Sequence, residues 1–208
     1  MMISRSITPS RLPLVLGVIL VACARPGSAG QADFYAGGLP TAPVKLEVFS
    51  DYQCPSCRTF YMTALRYVLT DYAMQNRVSV VYHDLPLQTH QYSREASRYA
   101  LAAQRLGREY WLRLTEALYE NQAQWSRDGR FDVIAVRLFG PADFARLKAI
   151  LQDPAIDAAL ESEITLARAR QVQSTPTFFL HAKSGVQKTV GAVPYSVLKE
   201  YLDRLLKK

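Results

Sequence analysis

The sequence predicts an α/β domain interrupted by a helical insertion, and three observations carry that reading. Between Val44 and Tyr82 a short strand, an amphipathic helix and a second strand follow one another. From Ser93 to Val172 the pattern is almost purely helical. After it, two short strands and a helix close the chain. A lone hairpin is not stable, so the strands at the two ends must share one sheet, with residues 86–172 laid over one face as the insertion.

Each element has its own signal. Val44 to Phe49 is a strand with β-branched residues, Ser50-Asp51-Tyr52-Gln53 is a turn, and Cys54 opens a helix. Phe60, Ala64, Leu65, Val68 and Tyr72 recur along that helix at helical spacing. Val78 to Tyr82 is apolar enough throughout to be buried on both faces, and strand–helix–strand makes a parallel crossover the default. In the insertion, Ala96, Tyr99, Ala103 and Leu106 form one stripe, and Trp111, Leu114 and Leu118 another. Asp128-Gly129 marks a break. Pro141 suits a helix first turn ahead of Phe144, Leu147 and Leu151, and Pro154 opens the helix of Ile156, Leu160 and Ile164. Thr177 to His181 and Val186 to Val190 read as a hairpin across Ala182-Lys183-Ser184-Gly185. Pro194 starts a last helix carried by Leu198, Tyr201, Leu202 and Leu205. Trp111, Trp125 and the tyrosines at helical spacing are read as core ahead of substrate contacts.

Composition narrows the class. The 208 residues are 49% hydrophobic and 11% aromatic, enough for one domain with a substantial core. At 21% charged the chain is neither disordered nor polytopic, and 10 Gly with 11 Pro exclude a collagen-like chain. The net charge of +7 falls by two if Arg5 and Arg11 are lost with a leader, and no block of five or six like charges occurs, so no nucleic-acid partner is expected.

That leader is residues 1–22. Arg5 and Arg11 form a basic start, Leu12 to Ala22 an apolar run, and the uncharged stretch up to Arg25 is too short to span a bilayer. Leu20-Val21-Ala22-Cys23 resembles a bacterial lipobox, making Cys23 the expected lipidated first residue of the mature chain. Ordinary cleavage at Ala22-Cys23-Ala24 or Ser28-Ala29-Gly30 is the alternative. Either way the expectation is an exported protein on the periplasmic or extracytoplasmic side, where disulfides persist. Residues 23–43, rich in Gly, Ala, Pro and Ser, read as a lipid-anchored tether, leaving 44–208 as the folded domain.

The chemistry lies in Cys54-Pro55-Ser56-Cys57. Thiols three apart on a helix share a face and are close enough to bridge. The first sits where free backbone N–H groups and the helix dipole stabilise an anion, which brings a thiol pKa from about 8.5 down into the range of about 3.5 to 7.5. Cys54 is therefore expected to be the attacking, partly exposed sulfur and Cys57, one turn deeper, the resolving one. Pro55 has a φ suited to the helix start and gives up no needed N–H. A zinc site would need two more soft ligands, and His83, His90 and His181 are scattered. A silent structural disulfide is a poor staple, since a four-residue loop constrains little.

The run Val44-Lys45-Leu46-Glu47-Val48-Phe49-Ser50-Asp51-Tyr52-Gln53-Cys54-Pro55-Ser56-Cys57-Arg58 resembles the active-site segment of the DsbA-like branch of the thioredoxin superfamily. Ser174-Thr175-Pro176-Thr177-Phe178-Phe179 resembles its second signature, whose proline is cis and lies beside the thiols. The resemblance covers about Val44 to Lys208 and implies a thioredoxin fold, a central mixed sheet flanked by helices, with a helical insertion domain. It implies that the Thr175–Pro176 backbone pairs with an extended substrate peptide, although an ordinary trans proline also tolerates a strand opening. By the same resemblance Glu47 matches an acidic residue beneath the thiols that relays protons with a raised pKa. The alternative is a solvent-facing position on the side of Lys45. Ser56 stands where strong oxidases of the family commonly carry histidine, which implies a milder oxidant. The family often has Gly where this chain has Ser174. His90 matches a frequent family histidine and is read as a loop-fixing hydrogen-bonder.

The expected function is thiol–disulfide exchange with exported thiol-containing proteins through Cys54 and Cys57, foremost as a dithiol oxidase. It would need no cofactor and no metal. The resemblance implies reoxidation by a quinone-linked membrane partner of the DsbB or vitamin K epoxide reductase type; the expected lipid anchor holds the protein at the membrane, and a monomer is expected because no dimerisation segment is seen before the domain. A reductase or isomerase of the same fold is the first alternative. A surface lipoprotein that only binds peptides over Pro176 is the second, and a metal-delivery protein the third.

Overall fold

A computed structural model describes residues 33–207, so the leader, Cys23 and the first part of the expected tether lie outside the described residues. Five strands form one sheet in the order β1–β3–β2–β4–β5. They are β1 (Tyr35–Gly37), β2 (Val44–Ser50), β3 (Val78–Asp84), β4 (Thr177–Ala182) and β5 (Gly185–Val190). β2 and β3 are parallel, in register from Val44↔Val78 to Ser50↔Asp84. β4 runs antiparallel to β2 and β5 antiparallel to β4, so both ends of the chain meet in the sheet as the pattern requires.

The connection from β2 to β3 is a rod built of α1 (Pro55–Phe60), a π-helical stretch (Tyr61–Leu65), α2 (Arg66–Val68) and a second π-helical stretch (Leu69–Ala73). The insertion comprises α3 (Ser93–Leu106), α4 (Arg108–Glu120), α5 (Gln122–Asp128), α6 (Phe131–Leu151) and α7 (Ala155–Ala169), and α8 (Tyr195–Leu206) follows the hairpin. α6 breaks at Gly140, whose φ of 77° no helix tolerates, and Pro141 begins the second half.

Side-chain alternation assigns the two faces. Leu46 and Val48 of β2, Val80 and Tyr82 of β3, and Phe178 and Leu180 of β4 join Phe60, Leu65, Leu198 and Leu202 in the main core. Phe49 and Phe179 point the other way and pack with Leu85, Ala167 and Val172. β3 is buried along its whole length, as an apolar strand covered on both faces must be.

Two expectations are corrected. The domain does not begin at Val44: β1, inside the expected tether 23–43, pairs antiparallel with β3 at Tyr35↔Val81. Its glycines are there for close approach. A Cβ on Gly37 would lie 2.9 Å from the Ala73 and Leu69 side chains, and one on Gly38, at φ 72°, 2.3 Å from the Val78 carbonyl oxygen. A three-residue strand carries no period, so the Gly-rich composition resembled a linker. Nor does the insertion cover one face alone. α7 lies on the Phe49 face, while α4 brings Trp111 against Phe34 and Tyr82, with ring centroids 5.1 and 4.9 Å apart, on the main-core side. Both faces of β3 are apolar and both need cover.

Candidate active site

The turn after β2 aims the thiols. Asp51 is fully buried and its carboxylate gathers the loop. One oxygen accepts from the Gln53 amide at 2.7 Å and the Ser93 hydroxyl. The other accepts from the Leu87 amide at 2.8 Å and pairs with His90 Nδ1 at 2.8 Å. His90 is thus a loop-fixing partner, as expected. Gln122, on α5, clamps the same loop from the insertion side, its amide donating to the Tyr52 and Cys54 carbonyls at 2.7 and 3.0 Å. Neither Asp51 nor Gln122 stood out in the sequence. Their value depends on partners 36 to 70 positions away, although Asp51 beside the cysteine motif was a short-range hint.

Cys54 takes the N-cap position in extended conformation (φ −72°, ψ 122°) and Pro55 fills the first helical position. Cys54 is 7% exposed and Cys57 not at all, so the sulfur expected to attack is less open than the sequence suggested while remaining the outer of the two. Both are free thiols. Thr175–Pro176 is cis and lies beside them, with Cys54 Sγ 3.4 Å from the Thr175 carbonyl oxygen. Cys57 Sγ accepts from the Asp51 amide at 3.4 Å.

The two sulfurs are electrostatically unlike. A hydrogen bond from the Cys57 thiol lowers the Cys54 pKa, against the opposing effect of burial. The Thr175 side chain and the Cys57 and Ser56 amides add to the lowering, which reaches about 5. Burial, then the neighbouring Cys54 sulfur, push Cys57 well above the ordinary thiol value. Ser56 thus contributes a backbone donor and no charge. Thiolate absorbance near about 240 nm is expected to titrate with a midpoint near pH 5. A midpoint at the free-thiol value of about 8.5 would remove the anion.

Glu47 is neither beneath the thiols nor facing solvent. It sits on the opposite sheet face, 1% exposed, and its carboxylate is engaged by His83 Nε2 at 3.2 Å, His181 Nε2 at 2.7 Å and Arg170 at 3.1 Å. Burial alone would raise its pKa. The hydrogen bonds from His83 and His181 and the charges of His83 and Arg170 outweigh that and bring it to about 2, the reverse of the raised value a relay needs. Side chains alternate along a strand, so Glu47 points to the face opposite the one that carries Leu46 and Val48. His83 also pairs with Glu163 of α7 at 2.6 Å. Two of the three scattered histidines therefore converge as carboxylate partners, and no metal-holding cluster of His, Cys, Asp and Glu occurs among the described residues. Trp111 and Trp125 are core.

What does face the thiols from below is a set of hydroxyls. Ser50, the last residue of β2, offsets part of the rise in the Cys57 pKa. Its Oγ is 2.9 Å from the Tyr119 hydroxyl, which is 2.7 Å from that of Tyr82.

Comparison with known proteins agrees with this arrangement. A family model named Thioredoxin_4, described as thioredoxin, matches residues 33–203. A Bacillus cereus protein named probable disulfide bond formation protein D is 22% identical over 179 residues, covering 82% of this chain and 78% of that protein. The crystal structure of Wolbachia pipientis alpha-DsbA1 superposes with a TM-score of 0.70 at 17% identity, covering 82% of this chain and 89% of that one. The catalytic domain of Proteus mirabilis ScsC does so with 0.68 at 22%, covering 85% and 93%. With the family match running from just before β1 into α8, across both the Cys54–Cys57 turn and the cis Thr175–Pro176 loop, the chain belongs to the thioredoxin family.

Proposed function

We propose that the protein exchanges disulfides with exported thiol proteins through Cys54 and Cys57, running foremost as a dithiol oxidase. The observation that carries this is the asymmetry of the pair: an outer sulfur with its pKa near 5 against a sealed inner one held protonated. In the oxidised protein a substrate thiolate attacks Cys54 Sγ, the Cys54–Cys57 bond breaks, and Cys57 leaves and takes up a proton. A second substrate thiolate then attacks the substrate sulfur of the mixed disulfide, and Cys54 departs as the stabilised thiolate. The Thr175–Pro176 backbone beside Cys54 is the edge on which an extended substrate segment docks. Pro55 fixes the helix start and Ser56 leaves the thiolate without a cationic neighbour. Glu47 has no step in this cycle.

The relatives' names, disulfide bond formation protein and DsbA, support the same direction. So does the leader at residues 1–22, which sends the chain to an oxidising compartment, with lipidation at Cys23 to hold it at the membrane. Reoxidation there falls to a quinone-linked membrane partner, to which electrons pass from the Cys54–Cys57 dithiol.

The potential tests the direction. A thiolate formed near pH 5 is two decades ionised at neutral pH, and each decade is worth about 30 mV. Thioredoxin's thiol, with a pKa of about 7, is already half ionised there, so the gain over it is about 1.7 decades, which places the pair about 50 mV above thioredoxin, at about −220 mV, and below the strong oxidase value of about −120 mV. A potential near about −270 mV would instead assign a reductase. In cells, Cys57→Ser is expected to accumulate mixed disulfides between Cys54 and exported proteins. Capture of none would overturn the substrate class.

A further inference from the structure

One side chain of the insertion holds the thiol turn on both sides of its cysteine. Gln122 opens α5 and is buried. Its amide nitrogen donates to the Tyr52 carbonyl at 2.7 Å and to the Cys54 carbonyl at 3.0 Å. Both acceptors are carbonyl oxygens, so the nitrogen end of the amide must face them, with one of its two donors for each.

These carbonyls belong to the peptide planes on either side of Gln53–Cys54. The plane between them is fixed by the Cys54 amide, which donates to the Asp51 carbonyl at 3.2 Å. Pro55 has no N–H, so the Cys54–Pro55 plane can be held only through its carbonyl. There the Arg58 amide makes the first helical bond at 3.1 Å and Gln122 adds a second. The three planes together set φ and ψ of Gln53 and Cys54. They therefore decide where Cys54 Sγ stands relative to the Cys57 thiol and the Cys57 and Ser56 amides that favour its anion. The same corner of the insertion takes a bond in return. Arg58 Nε donates to the Tyr119 carbonyl at 2.8 Å, and the Tyr52 and Tyr119 ring centroids lie 5.3 Å apart. The α4–α5 corner and residues 52–58 are thus fastened to each other in both directions.

We propose that Gln122 is a positioning residue for the exchange reaction, fixing the peptide planes around Cys54 so that the sulfur meets the donors that stabilise its anion. The inference rests on thiol–disulfide exchange at Cys54 and deepens it. Gln122 contacts backbone oxygens and not the reacting sulfur, and it acts through the turn. The insertion is then part of the redox site as well as a cover for the sheet.

Gln122→Met tests this, since methionine keeps the unbranched length and fills the space but donates nothing. The Cys54 thiolate midpoint is expected to rise by about one unit, from about 5 to about 6, as the sulfur drifts from its donors. That tenfold loss of thiolate stabilisation should lower the reduction potential by about 30 mV. Leu160→Ala, which opens a cavity under α7, should lower the melting temperature while midpoint and potential stay at wild-type values. An unchanged midpoint in Gln122→Met, or an equal rise in Leu160→Ala, would overturn the proposal and make Gln122 a structural clamp. If Gln122→Met does not fold, nitrogen-15 NMR of the wild type decides. Both Gln122 side-chain amide protons should exchange with solvent about 100-fold slower than those of an exposed glutamine. Their shifts should also follow the Cys54 titration near pH 5. Fast exchange, or shifts flat across that range, overturn the proposal. The titrations need no substrate, so a wild type that titrates as expected yet oxidises no reduced model protein sinks the exchange reading instead.

Discussion

Cys54→Ser is expected to reduce disulfide exchange to the uncatalysed background while leaving the fold intact. Serine keeps the size and the N-cap position, but its hydroxyl is not ionised near pH 5 and cannot enter a disulfide. Nothing else among the described residues can substitute, since Cys57 is sealed and held protonated. The measurement is oxidation of a reduced model protein, with a circular-dichroism melt to establish that folding is unaffected. Because the partners of the Cys54 sulfur, the Thr175 carbonyl, the Cys57 thiol and the Cys57 and Ser56 amides, can equally meet a serine hydroxyl, the melt should move by about 1 kcal/mol or less in stability. A cellular role left intact when Cys54 is replaced would leave only the peptide-binding reading, in which the groove over Pro176 holds extended segments without chemistry.

The largest stability effect is expected on the other face of the sheet. Glu47→Gln should cost about 2 to 4 kcal/mol by urea denaturation at neutral pH, because it leaves His83 and Arg170 facing a neutral amide in a buried site. The size agrees with the linkage. A carboxyl lowered from 4.5 to about 2 contributes on the order of 3 kcal/mol. Its folded pKa is depressed, so this stability is present above about pH 4.5 and is lost as pH falls towards 2. The variant should lack that acid-side loss. His83 has the opposite sign: raised from 6.5 to about 9, it contributes fully below 6.5 and fades as pH climbs through 9. Its burial works against the charge, and the hydrogen bonds to Glu163 and Glu47 prevail. The Cys54 titration should not move in Glu47→Gln. If it does shift, Glu47 communicates with the thiols after all.

The network also explains how α7 is held. Glu163 reaches through to His83 while Ala167 and Val172 pack on Phe49 and Phe179, so the last insertion helix is fastened to the sheet by both apolar contact and charge. Removing one buried partner is costly even where the whole set adds little over an apolar core. The cluster fixes which helix lies where, a role separate from the chemistry across the sheet.

The sequence by itself determined the strands, the helix starts at Pro141 and Pro154, the hairpin, the insertion, and the thiol pair at a helix start. All of these follow from periodicity, fixed φ and end effects that act within a few residues. The same short range made Cys54 legible as the sulfur with the stabilised anion, because the groups that stabilise it are mostly its own neighbours, Cys57 and the Ser56 amide. Tertiary structure alone decided the rest. It placed β1 on the sheet edge, where two glycines serve close packing. It put Glu47 on the face away from the sulfurs and gathered His83, His181 and Arg170 around it. It also joined the hydroxyls of Ser50, Tyr119 and Tyr82 from two parallel strands and an insertion helix. Strand alternation tells which residues share a face but not which face looks at the thiols; that is fixed by register and by what packs above, contacts between residues tens of positions apart.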